Sequence, residues 1–375
     1  MLVSALTLSV STPLVAGSRM QNPDATAIID LPVVKPGKSR SLHKTMKQFD
    51  DARVVVVGET HTRYDHHLVQ LEILKHLYQK SPNIALGVEW FQQPFQQYLD
   101  AYIAGDITEK EMLRSTEYFS RWRYNYRLYR PILQFARENG IPVIALNASR
   151  ELTKALAHND LDDLPEDLRS QLPSSYDWSD EAYEKRIRDV FELHPEYQGE
   201  FENFLRSQLT WDESMAERAS LYLQENPDAS MLVLAGSGHV MFGSGIPNRI
   251  QRRIEIEPVT VLVSDDHLPV ANDIADFLVM SVEQSLEPDG LIGAILDTNG
   301  KLLTIMGFSH DSAARDAGLE KGAVIVGVDD EPVGSFSDFK VAIIDKRRGD
   351  SIELHYLEDA DAGKKDRKSV TIELR

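Results

Sequence analysis

Val54–His67 reads VVVVGETHTRYDHH. Four valines end at Gly58, and two carboxylates, hydroxyls and three imidazoles crowd the nine residues that follow. An unbroken β-branched run predicts a strand buried on both faces of a parallel sheet, and the polar residues after it then belong to a loop and a helix start. Similar apolar runs recur at Arg53–Val57, Ile84–Val88, Pro142–Leu146, Met231–Ala235 and Val259–Val263. Amphipathic stretches at His66–Gln79, Pro94–Ala104 and Tyr118–Glu138 separate the first of these. The alternation predicts an α/β fold, a mostly parallel sheet flanked by helices. Residues 151–226 hold no strand pattern and predict a helical insertion over the C-terminal edge of the sheet. After Asp265 the strands shorten and glycine rises, so 40–265 and 286–375 are expected to be an α/β domain and a small β-rich domain.

At 375 residues with 42% hydrophobic content, the chain has material for two cores. Its 59 acidic residues against 40 basic ones give a net charge of -19, which repels phosphate backbones and argues against nucleic-acid partners. The absence of cysteine excludes disulfides, thiolate metal sites, cysteine nucleophiles and a cysteine-linked lipid. Any metal must therefore be held by His and carboxylates. Residues 1–20 begin MLVSALTLSVSTPLVAGS, apolar and small, and predict the remnant of a secretory signal peptide without its basic start. A short disordered tail is the plainer alternative. No later run of 18 apolar residues predicts a transmembrane helix.

Two strand ends carry the form Gly-x-x-His: Gly58-Glu59-Thr60-His61 and Gly236-Ser237-Gly238-His239. A third copy, Gly307-Phe308-Ser309-His310, falls in the small domain and is read as chance. Strand ends also deliver Glu89 and Asn147 to the edge where open parallel sheets bind ligands. A carboxylate at the end of an apolar strand is costly unless paired or bound to a cation. His61, Glu89 and His239 are thus the candidate ligands of a divalent metal, with Glu59 as general base or orienting group. Glu59, His61, Glu89 and His239 are also the candidate catalytic set, while Asn147 and Asp212 are candidates for a supporting outer layer. The competing readings are plainer: His61 as a loop residue, His239 as a turn residue, Asp212 as the N-cap of its helix. Asp65, His66 and His67 are expected in the helix after the loop, with Asp65 as its cap.

The words VVVVGETH, ALGVEWF, YRPILQFARENGIPVIALNASRE, QLTWDESMA and MLVLAGSGHV, in that order, resemble the ChaN family of haem-binding uptake proteins within the TraB/Tiki superfamily and its erythromycin-esterase-like relatives. The resemblance implies an extracytoplasmic, periplasmic protein of haem or iron handling, with His61, Glu89 and His239 as the shared polar core and Glu59 beside them. It also implies a haem-ligating tyrosine at a homodimer interface, for which Tyr118, Tyr126 and Tyr129 are candidates on what reads as one helical face, with arginines nearby for propionates. An aromatic core face with solvated arginines is the alternative. Peripheral association with a membrane is a further expectation. The C-terminal stretch resembles a PDZ domain: Leu291-Ile292-Gly293-Ala294 looks like its carboxylate-binding loop, Ala294–Asp297 the following strand, and Ser337–Lys346 its groove helix. That resemblance implies capture of a peptide C-terminus as an added strand. The expected function is an extracytoplasmic haem or iron-uptake protein with a peptide-binding module. The alternatives are a metal-dependent hydrolase or peptidase using the His/Glu/His site, and a scaffold with a vestigial polar cluster.

Overall fold

The computed structural model describes residues 32–35, 38–193, 199–264, 271, 273–298, 302–359 and 367–375. The signal-peptide segment, residues 1–20, lies outside them. The chain divides into two compact units, one of residues 1–96 with 129–284 and the other of 97–128 with 285–375.

The first unit is built on an eight-stranded sheet. Its strands are β1 (Pro32–Lys35), β2 (Lys38–Ser41), β3 (Val54–Glu59), β4 (Ile84–Gln92), β5 (Val143–Asn147), β6 (Ser230–Gly236), β7 (Val259–Ser264) and β8 (Phe277–Met280). They lie in the order β2-β1-β8-β7-β3-β6-β4-β5, with β8 through β5 parallel and the hairpin β1–β2 antiparallel at the edge. All five predicted apolar runs are strands, because each is apolar on both faces and only a two-sided core satisfies it. One face, with Val54, Val56, Ala85, Met231 and Val233, packs on Met215, Ala219 and Leu223 of a long helix and on Ile246 and Ile250 of the next. The chain steps from β3 to β4 and β5, then returns to place β6 between β3 and β4. Three neighbouring strand ends therefore open at the same edge, the arrangement that makes a ligand crevice in open parallel sheets.

The insertion is helical as expected, and one of its helices is long. It contains Arg150–Leu156, Glu166–Arg169, Glu181–Glu192 and the 25-residue helix Phe201–Glu225. Tyr118–Glu138 is not one helix. It breaks into Tyr118–Arg121, a 3-10 turn Tyr126–Leu128 and Arg130–Glu138. Arg123 adopts a left-handed backbone (φ 72°), and Pro131 opens a new helix where its missing N–H does no harm. The single aromatic face expected for Tyr118, Tyr126 and Tyr129 therefore does not form.

The second unit has the antiparallel strands β9 (Ala294–Leu296), β10 (Leu303–Phe308), β11 (Val324–Val328), β12 (Glu331–Pro332), β13 (Ser351–Leu357) and β14 (Lys368–Glu373), in the order β14-β13-β11-β10-β9 with β12 beside β11. The helix Phe336–Ala342 stands where the groove helix was expected, and β9 is an edge strand. Helices from residues 97–128 belong to this unit. Lys110 and Arg114 both pair with Glu331, Arg127 pairs with Asp289, and the Lys340 ammonium lies 5.9 Å from the Phe119 ring centre.

Candidate functional site

The sheet register builds the site. Glu59, the last residue of β3, pairs with Gly236, the last of β6, while Val88 of β4 pairs with Leu234 of the same strand. Glu59 and Gly236 thus end adjacent strands, and the loops carrying His61 and His239 leave from them. Glu89 is not the strand end that was expected: it lies within β4, which runs on to Gln92, just past Val88 where the pairing with β6 stops. Gly236 is required by close approach: a Cβ there would lie 2.9 Å from His61 Cε1, 3.2 Å from its Nε2 and 3.6 Å from Glu89 Oε2. That proximity places the His61 ring and the Glu89 carboxylate together over β6.

Each imidazole is backed by its own carboxylate. His61 Nδ1–H donates to Glu59 Oε1 at 2.5 Å, and His239 Nδ1–H donates to Asp212 Oδ1 at 2.5 Å. Between them stands Glu89, whose Oε2 accepts from the Gly236 N–H at 2.7 Å and whose Oε1 lies 3.5 Å from His239 Nε2. Glu59, Asp212 and Glu89 are all buried, as is His61; the His239 side chain keeps 16% of its exposure. The charges follow from this proximity. Burial opposes the charged form of His61, but Glu59 and Glu89 outweigh it and raise its pKa. In the same way burial works against His239, and Asp212 with Glu89 lifts its pKa well above the ordinary value. Burial would raise the Glu89 pKa, yet His239, His61 and the Gly236 amide bring it down to about 2.

The surrounding polar residues hold this core in place. Asn147 Nδ2 donates to the Glu89 carbonyl at 3.0 Å, and Ser237 Oγ donates to the Glu59 carbonyl at 3.1 Å. Asp212 is not an N-cap: it lies within the helix Phe201–Glu225 and receives the Tyr183 hydroxyl on Oδ2 at 2.7 Å. Tyr183 comes from the inserted helix Glu181–Glu192, and nothing in sequence spacing ties it to Asp212. Asp65, His66 and His67 begin the helix Tyr64–Lys80, whose N-cap is Arg63; Asp65 does not cap it but takes the Arg63 guanidinium at 2.9 Å. All three are buried and anchor the loop: His66 Nδ1 accepts from the Thr60 N–H, and His67 Nε2 donates to the His61 carbonyl. Tyr129 donates to that same carbonyl at 3.2 Å and packs against His67 and Trp90.

The three tyrosines are buried, with Tyr126 donating to Glu109 at 2.9 Å and Tyr129 to His61. In the second unit Leu291 is exposed, Ile292 is buried and Ala294 opens β9. Gly293 has φ 70°, and a Cβ there would meet the Ser312 Cα at 2.6 Å, so only glycine fits the loop. The Leu291 N–H is spent on the Arg375 carbonyl at 3.0 Å.

The donor types around Glu89 suit a divalent cation. Two imidazoles have Nδ1 committed to carboxylates, the usual backing of metal-bound His, and Glu59 Oε2 is a buried acceptor without a donor. The cage is open as it stands: among the described residues no three His, Asp or Glu side chains are arranged to hold an ion. The arrangement also suits proton transfer, since a carboxylate-backed imidazole is a general acid or base.

Known proteins extend this picture. The chain is similar to Protein RETICULATA-RELATED 5, chloroplastic, of Arabidopsis thaliana, at 23% identity over 84% of this chain, and it spans 45% of that protein's length. A solved structure of ChaN from Campylobacter jejuni, described with cofacial haem binding, shares the fold of the first unit at 18% identity, covering 68% of this chain and 97% of that one with a TM-score of 0.55. The PDZ domain of a carboxy-terminal protease from Vibrio cholerae, solved with a peptide, is 26% identical over 24% of this chain and 95% of its own, with a TM-score of 0.20. The model of the family described as haem-binding uptake, Tiki superfamily, ChaN, matches residues 45–250, and the chain belongs to that family.

Proposed function

We propose that this protein binds haem or iron outside the cytoplasm, with His239, His61 and Glu89 as the polar centre of the ligand site, and that its C-terminal unit captures a peptide end. The observation that carries the reading is the convergence of two carboxylate-backed imidazoles on Glu89 within the residues matched by the haem-binding family. The apolar start MLVSALTLSVSTPLVAGS supports export, and the family resemblance supports a homodimer and peripheral association with a membrane. The edge strand β9 beside the glycine-dependent loop supports strand addition by a peptide.

The test is a hemin titration followed by absorbance, with metal content measured on the same sample. Hemin bound by the wild type and weakened in His61→Ala and His239→Ala supports the reading. A Soret change that survives both substitutions moves the haem elsewhere, and a tyrosine becomes the ligand. A second reading, a metal-dependent hydrolase or peptidase, is favoured by the same two dyads. In that reading His61, Glu89 and His239 would have to draw together to hold a divalent cation, which would supply Lewis acidity, with Glu59 and Asp212 holding the imidazoles in register. Stoichiometric metal that is lost in the two His variants, without hemin binding, selects this reading over the first.

A further inference from the structure

The inserted helix Glu181–Glu192 brings an arginine next to the Asp212–His239 pair. The Arg186 guanidinium carbon lies 5.4 Å from the centre of the Tyr183 ring and 5.6 Å from that of Phe242. Tyr183 is the residue whose hydroxyl holds Asp212, and Phe242 follows His239 by three positions. Phe242 is 40% exposed and sits at φ 61°, a conformation that a bulky residue rarely adopts, fixed by its N–H to the Ile274 carbonyl at 2.7 Å.

A second arginine, Arg249, stands 4.4 Å from the same Tyr183 ring, and its Nε and Nη2 likewise lack a hydrogen-bond partner among the described residues. What sets Arg249 apart is an ion pair, since Glu213 stands 3.2 Å from its Nε and the Gly245 carbonyl accepts from its Nη1 at 2.9 Å. Among the described residues, nothing accepts a hydrogen bond from the buried Nη2 of Arg186. Burial disfavours its charge and Arg249 adds repulsion, so its pKa is lowered despite the attraction of Asp212, Tyr183 and Asp180. A guanidinium with part of its fork unused, between two aromatic rings, matches a carboxylate in geometry as well as charge. The exposed ring beside it offers a face to an apolar, flat ligand body.

We propose that Arg186 and Phe242 form a recognition site, beside His239, for the carboxylate of an apolar ring-bearing ligand. This rests on the haem reading of the same site, since a tetrapyrrole that carries carboxylate arms is such a ligand, but it can stand or fall separately. The experiment titrates benzoate, and benzamide as its uncharged counterpart, into the full chain while the imidazole 15N signals of His239 are followed. Benzoate should shift them saturably and benzamide should not, and Arg186→Gln should weaken benzoate by about tenfold or more, the loss expected of one charge-assisted hydrogen bond. Equal effects of the two compounds, or an unaltered benzoate response in Arg186→Gln, overturn the proposal and leave Arg186 a stacking residue only. A parallel comparison of hemin with its dimethyl ester separates the two ideas. Equal binding of both by the wild type keeps the haem reading and removes the carboxylate site. Benzoate binding without any hemin binding keeps the carboxylate site and removes the haem reading.

Discussion

Substituting Gly236 by Ala presses a methyl group directly onto the site. The new Cβ would stand 2.9 Å from His61 Cε1 and 3.2 Å from Nε2, whereas carbon atoms settle near 3.5–4.0 Å. The imidazole must therefore retreat by roughly half an ångström or more. It is tethered by the 2.5 Å bond to Glu59, a charge-assisted bond of the kind worth about 1.5–3 kcal/mol, so retreat strains that tether. With the usual penalty for overpacking, Gly236→Ala should lose about 1–3 kcal/mol and move the His61 resonances. Two other glycines calibrate the result. A Cβ at Gly58 meets Leu262 Cδ2 at 2.5 Å and the Ser237 Cα at 3.0 Å, and because the second contact is backbone, Gly58→Ala should cost about 3 kcal/mol or more. A Cβ at Gly238 meets nothing within 4 Å, so Gly238→Ala should stay within about 0.5 kcal/mol. The assay is urea denaturation of the three variants with imidazole NMR at pH 7. If Gly236→Ala behaves like Gly238→Ala in both, His61 does not lie over β6 and the geometry assigned to the site is wrong.

Glu89 titrates at about 2, below its ordinary 4.5, so its contribution to stability is complete above about pH 4.5 and is lost as pH falls from there toward 2. Glu89→Gln should flatten that acid limb of the stability curve, and an unchanged limb would count against the pairing with His239 and His61. Burial pushes His66 down to about 4, which keeps it neutral to accept the Thr60 N–H; an NMR midpoint near 6.5 would contradict this. Because that value is depressed, the contribution of His66 is present above about pH 6.5 and is lost as pH falls toward 4. Glu331→Gln removes the charge shared by Lys110 and Arg114, each pair worth about 0–1 kcal/mol at such partly exposed positions. Amide exchange over residues 109–121 should then quicken by a few-fold, and no change would detach those helices from the C-terminal unit.

The readability of the sequence tracks how local each signal is. The strand ends at Glu59 and Asn147 were legible because apolar runs of five or six residues have no comfortable place except a two-sided sheet, whereas β4 runs three residues past Glu89 to Gln92. The short strands β1, β2 and β8 were not, since each is only four residues long and a segment such as KSRS carries no apolar period. Aromatic spacing from Tyr118 to Tyr129 imitates a helical face, and only the left-handed Arg123 and the helix restart at Pro131 break it. Residues 97–128 join the C-terminal unit by packing against the helix Phe336–Ala342 more than 200 residues away, with Lys110 and Arg114 paired to Glu331, and no local pattern announces this. Tyr183 and Arg186 escaped for the same reason: they reach Asp212 and Phe242 only after the insertion folds back.

The most direct measurement of the central claim is the imidazole 15N spectrum of the full chain before and after one equivalent of hemin. The account predicts that the His239 and His61 signals change on binding while that of His310, an exposed residue of the second unit, stays in place. Hemin bound with the His239 and His61 signals unaltered would contradict it.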